Sequence, residues 1–334
     1  MFAADDNAVP HDDPTPSASE TTGTPRFHRL LEINSDQLLE LAHAGAVVIL
    51  PISPIEEHGP HLPMGTDAML ADHFAVLSAE IVAEKEPGTP VVIAPLIPVG
   101  THVYKFMGSI YIRQRAIRNL LIDYGRSLAR AGFTRLIIVS SHGGPKHMVA
   151  LDEAATSLTR FHRLQTISLT SKIIFKFLSG TLVERISAAC DRPLTEEERN
   201  ALSMDYHAGW WETAMMLFLR PELVKDGYEQ LPDALVPRWK LRPGTPLRPP
   251  AGMGYLGAPG RADASFARAS LVVLREEAAS LIGRFLAGKT NLRHFRSPLY
   301  RLPMLRTNFK YWVLGLIVVI LILIRIFAQL LMTN

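Results

Sequence analysis

Four short apolar runs punctuate the body of the chain: AVVILPI (46–52), VVIAPLI (91–97), RLIIVSS (135–141) and QTISLTS (165–171). They are rich in β-formers and hardly alternate, the pattern of strands covered on both faces. Between the second and third lies RAIRNLLIDYGRSLARAGF (115–133), in which Ile117, Leu120, Leu121, Tyr124 and Leu128 share one helical face. Arg115, Arg118, Arg126 and Arg130 fall mostly elsewhere, and Gly132 stands where a helix usually stops. A second helix is expected over about 67–83, burying Leu70, Phe74, Leu77 and Ile81. Strands alternating with amphipathic helices predict an α/β fold, a three-layer α/β/α sandwich with a mainly parallel central sheet. Two stretches break the rhythm. LTEEERN (194–200) reads as a helix start with Thr195 and Glu198 at capping-box spacing, and 228–262, which includes PGTPLRPP, reads as a long loop.

The far end follows another rule. YWVLGLIVVILILIRIFAQLLM (311–332) is apolar all round and has about the 20 residues that cross a bilayer as a helix. Arg325 and Gln329 sit near its C-terminal end, where long side chains reach the headgroups, and Tyr311 and Trp312 mark the other boundary. Lys289, Arg293, Arg296, Arg301, Arg306 and Lys310 precede it with no acid among them. This predicts a single-pass C-terminal anchor in the lipid bilayer, with the preceding domain on the cytoplasmic side. A buried helix in an oligomer interface is the alternative. The expected organisation is an acidic disordered tail (1–27), an α/β domain (28–288), a basic juxtamembrane linker (289–310) and a transmembrane helix (311–332).

Composition narrows the classes. With 35 Lys+Arg against 32 Asp+Glu in 334 residues, no general nucleic-acid-binding coat is indicated. The single cysteine, Cys190, excludes an intrachain disulfide and a thiolate metal cluster. The first residues lack the basic start and apolar run of a secretory signal.

Three polar clusters carry candidate chemistry: EEHGPHLPMGTD (56–67) after the first strand, SSHGGPKH (140–147) after the third, and DYHAGWWET (205–213) before an apolar helix. In open α/β sheets ligands bind beyond the carboxyl ends of strands, so the three could meet at one edge. Glu56 and His58, two apart, leave an extended backbone on the same side, and the Pro/Gly-rich turn can bring Asp67 back to them. His142 lies beside Gly143 and Gly144, where substrate can approach the backbone, and Glu212 could complete the set. His, Asp and Glu suit Zn²⁺ or Mn²⁺, and a carboxylate can bridge two ions. Taken singly, Asp67 could be a helix cap and Glu212 a helix-dipole partner. His61 and His147 read as ordinary loop or helix histidines.

The pattern E-x-H-G-P-H-L-P-x-G-T-D at Glu56–Asp67, with H-G-G at 142–144 and H-A-G-x-x-E-T at 207–213, resembles the creatininase family of metal-dependent amidohydrolases. PVGTHVYKFMGSIYI (98–112) and GYLGAPGRADASFA (254–267) are lesser matches. The resemblance implies an α/β/α fold, a homo-oligomer and two divalent metals, Zn²⁺ and/or Mn²⁺. It makes Glu56, His58, Asp67 and His142 metal ligands, with Asp67 bridging, and places His207 and Glu212 in the site. Two departures stand out: Gly144 replaces a metal-binding glutamate, and Ser203 replaces a substrate-contacting tryptophan four residues before His207. Glu212 is then the candidate replacement ligand.

The resulting expectation is hydrolysis of a small-molecule, non-peptide C–N amide bond, cyclic amides included, by a metal-activated hydroxide. His207 would protonate the leaving nitrogen, and Gly143 would help hold the oxyanion. Trp210 and Trp211 would be pocket walls or, equally, core aromatics. A metal-dependent peptidase acting on a short or modified peptide is the alternative, and an inactive membrane-bound binding protein the third.

Overall fold

The computed structural model describes residues 27–104, 106–237, 240, 253–289 and 291–332. The acidic tail up to residue 26 and the PGTPLRPP stretch lie outside them. Strands β1 (His28–Arg29), β2 (Val47–Pro51), β3 (Val91–Ile93), β4 (Arg135–Val139) and β5 (Gln165–Ser168) form one parallel sheet in the order β1-β3-β2-β4-β5. β2 is central, with Val47 opposite Val91 on one side and Arg135 on the other. All five of its residues are buried, which is why the run does not alternate.

Ten helices are described: α1 (Ser35–His43), α2 (Thr66–Lys85), α3 (Gln114–Arg130), α4 (Pro145–Phe161), α5 (Leu169–Leu178), α6 (Val183–Ala189), α7 (Glu196–Ser203), α8 (Trp210–Leu219), α9 (Ala264–Leu286) and α10 (Phe309–Met332). Val48 and Leu50 of β2 pack with Ile117 and Leu121 of α3 and Leu151 and Leu158 of α4, forming one core layer. Val47 and Ile49 point the other way, into a layer with Phe74 of α2, Met215 of α8 and Ile282 of α9. Helices therefore cover both faces of the sheet, as expected.

The expected capping boxes and helix faces are largely present. Thr195 and Glu198 form a reciprocal box at the start of α7. In α3, Ile117, Leu121 and Leu128 are buried, but Leu120 is 40% exposed and lies off the core-facing stripe. The run at 165–171 does not remain a strand. Its chain turns into α5 at Leu169, because helical spacing carries both Leu169 and Ile173 into the apolar layer.

Residues after α9 are fastened to the domain. The backbone N–H of Ser297 donates to the buried Asp152 carboxylate (3.0 Å), Arg306 Nε donates to Glu153 (2.6 Å), and Gln114 donates to the Leu305 carbonyl (2.8 Å). Phe295 is buried, edge-on to Phe285. Beyond this strap, α10 is long and apolar enough to cross a membrane by length and composition, and none of its apolar window is buried against the domain.

Candidate metal centre

Two sheet connections and one helix entry build the site. Glu56 and His58 lie on the loop after β2, Asp67 in the first turn of α2, and His142 on the loop after β4. The third component is not a strand end. His207 precedes α8 and is held by a short antiparallel bridge to Leu256, whose N–H donates to the His207 carbonyl at 2.7 Å. Gly209 and Gly257 let this turn close: a Cβ on either would stand within 2 Å of Asp205 Oδ1. Asp205 in turn accepts the N–H groups of Trp210 and Trp211, each at 2.8 Å, and so fixes the start of α8 and its Glu212.

Six side chains form two adjoining groups. Glu56, Asp67 and His142 make one, while His58, His207 and Glu212 make the other; within each, the ligand atoms lie within 4.8 Å of one another. Asp67 touches both. Its Oδ2 is 3.1 Å from His142 Nδ1, and its Oδ1 is 3.8 Å from His58 Nε2. His142 Nδ1 is also 3.1 Å from Glu56 Oε2, and His58 Nε2 is 3.7 Å from Glu212 Oε2.

The far nitrogen of each imidazole faces a backbone carbonyl: Nδ1 of His58 that of Glu56 (2.9 Å), Nε2 of His142 that of Thr101 (3.2 Å), and Nε2 of His207 that of Glu57 (2.7 Å). A carbonyl only accepts, so these nitrogens donate, and each ring in its neutral form would turn the lone pair of its other nitrogen towards the carboxylates. Glu56 Oε2, Asp67 Oδ2 and His58 Nε2 are buried without a hydrogen-bond partner. Buried acceptors converging in this way are unfavourable unless a cation or protons lie among them. The donor set therefore fits divalent metal ions.

The electrostatics agree. Burial would lower the affinity of His142 and His58 for protons, but the surrounding carboxylates outweigh it and raise both pKa values. Burial would raise Glu56 and Asp67, yet His142 above all draws both down. Glu212 is pushed up to about 7, chiefly by burial and further by Asp67. Burial and the neighbouring His58 hold His207 down at about 4.

Asp67 does not cap α2. The cap position is Gly65, and the Asp67 carboxylate turns instead to Ser141 and the histidines. Glu212 does support its helix entry, accepting from the Ala208 N–H at 2.5 Å, while also facing His58. A side chain at Gly144 would collide with His142, its Cβ falling 2.4 Å from Nε2, so the loop has closed around the glycine. Gly143 and Trp211 line a cavity beside His207. Trp210 does not line it: the ring is buried and stacks on Phe266 at 4.6 Å, which corrects its expected place as a pocket wall. His61 bonds Thr213 at 2.8 Å and His147 bonds Ser140 at 3.1 Å, both as buried supports.

Residue-by-residue reading overlooked Tyr104, Ser141 and Asp205. The Tyr104 N–H donates to Glu56 Oε1, and its ring packs 4.5 Å from that of His207. The stretches 98–112, SSHGGPKH and DYHAGWWET contained all three, but no spacing rule singled them out.

Comparison with known proteins places this geometry. The family model described as "Creatininase: Creatinine amidohydrolase" matches residues 31–282. A mycofactocin precursor peptide peptidase of Mycobacterium tuberculosis (strain CDC 1551 / Oshkosh) is 35% identical over 127 residues, 35% of this chain but only half the length of that relative. The protein of the same name from Mycobacterium ulcerans (strain Agy99) is 27% identical over 275 residues, covering 78% of this chain and 96% of the relative. A solved chain named "Creatininase Mn" shares the fold with a TM-score of 0.56 at 20% identity, over 79% of this chain and 99% of that one. The chain belongs to the creatininase family of amidohydrolases.

Proposed function

We propose that the protein is a metal-dependent amidohydrolase that cleaves a C–N amide bond with two divalent cations, Zn²⁺ or Mn²⁺. Glu56, Asp67 and His142 would hold one cation and His58 and Glu212 the other, with Asp67 shared. The observation that carries this reading is the set of buried, unpartnered atoms of Glu56, His58 and Asp67 facing one another. Bound there, two cations would acidify water and polarise the substrate carbonyl at neutral pH.

The protein's own groups supply the rest. With His207 neutral at pH 7 and its Nε2–H committed to the Glu57 carbonyl, Nδ1 can take a proton from the attacking water and pass it to the departing nitrogen. The balance is amide plus water to carboxylic acid plus amine. Gly143 lines the same cavity, and its backbone N–H would suit the oxyanion. The Tyr104 ring, tilted 44° to that of His207 with centroids 4.5 Å apart, packs against it.

A peptide substrate is the second reading. The peptidase-named relative aligned over 96% of its length favours it, and the serine at 203, where the family resemblance implies a substrate-contacting tryptophan, argues against creatinine. We also propose α10 as a membrane anchor, on the strength of its length and its unburied apolar surface.

Stripping the full-length protein with a chelator and restoring Zn²⁺ or Mn²⁺ tests the main reading on a panel of lactams, small amides and short peptides. Hydrolysis lost and regained with about two equivalents of metal is expected. Undiminished hydrolysis by metal-free protein would refute it.

A further inference from the structure

The cavity beside His207 is lined mainly by apolar side chains. Its envelope, with the open solvent at its mouth included, is about 760 Å³. His207, Glu212 and Gly143 are part of its lining. Apolar lining comes from four helices: Leu77 on α2, Ile174 and Phe177 on α5, Trp211 on α8, and Leu274 and Ala278 on α9. Leu77, Ile174 and Phe177 are only half-buried, so large apolar side chains are left part-wet where the domain could have closed over them.

Two hydroxyls that the helices contribute to this lining are already engaged. Ser78 turns its hydroxyl back to the Phe74 carbonyl at 2.6 Å, and Thr170 Oγ1 accepts the Ser140 N–H at 2.8 Å. None of the residues lining the cavity from α2, α5 and α9 carries a charge. A polar or ionic group set against these helices would lose water without a new partner, whereas a hydrocarbon group would remove apolar surface from water on both sides.

We propose that the cleft is a substrate subsite for an extended aliphatic group attached next to the scissile amide, so that the substrate is an amphipathic amide with its polar end at His207. This deepens the proposed hydrolysis and rests on it. The occupant is argued from continuity: one cavity holds both the candidate proton carrier and the apolar walls, so a bond placed at the first puts its substituent against the second. Leu77, Leu274 and Ala278 then determine how long a chain is accepted.

The test uses full-length, metal-loaded protein in phospholipid nanodiscs, which avoids filling the cleft with detergent. Two substrate series are compared, N-acyl chains on a fixed amine and N-alkyl chains on a fixed acyl group, from two to ten carbons. In at least one series kcat/KM should rise about three- to fourfold per methylene until the cleft is full. Ala278→Phe, or Leu77→Phe if the first variant misfolds, should abolish the gain with chain length, so that long and short amides are turned over alike. Hydrolysis of short amides with no gain along either series would overturn the subsite and leave the hydrolase reading intact. If no amide is turned over, thermal stabilisation by long-chain amides decides independently: stabilisation that Ala278→Phe removes supports the subsite, and its absence overturns it.

Discussion

Ser141 is hydrogen-bonded to Asp67 across the site: its Oγ lies 2.6 Å from the Asp67 carbonyl and 3.0 Å from Oδ1. This contact joins the loop after β4 to the first turn of α2 and orients the one carboxylate that faces both donor groups. Ser141→Ala should leave the fold intact and weaken metal binding about 10- to 100-fold, the usual effect of losing a partner that orients a ligand. Metal titration of the variant checks this; unchanged affinity would remove Ser141 from the account.

Asp67 and Glu212 should differ in their effect on stoichiometry. Asp67→Asn removes charge from both groups and should lower bound metal towards zero, with activity falling at least ~100-fold. Glu212→Gln touches only the His58 group and should leave about one equivalent bound. Elemental analysis of both variants distinguishes a shared from an unshared carboxylate.

His207 is placed either to move a proton or to serve as a third ligand in the His58 group. Its assigned role in proton transfer predicts that His207→Ala keeps both equivalents of metal while activity drops by about 10²- to 10⁴-fold. Loss of one equivalent would reassign it as a ligand.

Acid–base linkage separates loaded from metal-free protein. In the metal-free state the carboxylates raise His58 and His142 above the ordinary value of 6.5, despite burial. Their protons therefore stabilise the fold fully below that value, and the contribution is lost as pH rises through the raised values. A bound cation replaces those protons and is spared this loss. The Tm difference between metal-loaded and chelated protein should widen from about pH 6 to about pH 9; a constant difference would contradict the linkage.

The strap after α9 is part of the domain's core. Removing residues 309–334 should leave its Tm unchanged. Removing 291–334 also deletes the buried Phe295 and uncovers Asp152 and Glu153, which hold Ser297 and Arg306. That should cost at least ~3 kcal/mol, read by denaturant unfolding of the two truncated proteins.

What the sequence determined by itself was local and periodic. Unalternating runs marked strands buried on both faces, because each such residue must be apolar whichever way it points. The Thr195–Glu198 spacing marked the start of α7, and the continuous apolar surface of the last helix set it apart from the core helices. Donors were legible as residue types at loop positions. Tertiary structure alone decided how they are shared: Asp67 lies between two groups because the register of β2 against β4 brings the loop carrying His142 beside α2. Distant carbonyls at Thr101 and Glu57 fix the lone pairs of His142 and His207, and no spacing along the chain encodes that contact. The docking of 291–308 on α4 and the apolar cleft were invisible for the same reason. Periodicity reports what each element must bury, whereas a site depends on which elements the completed packing brings together.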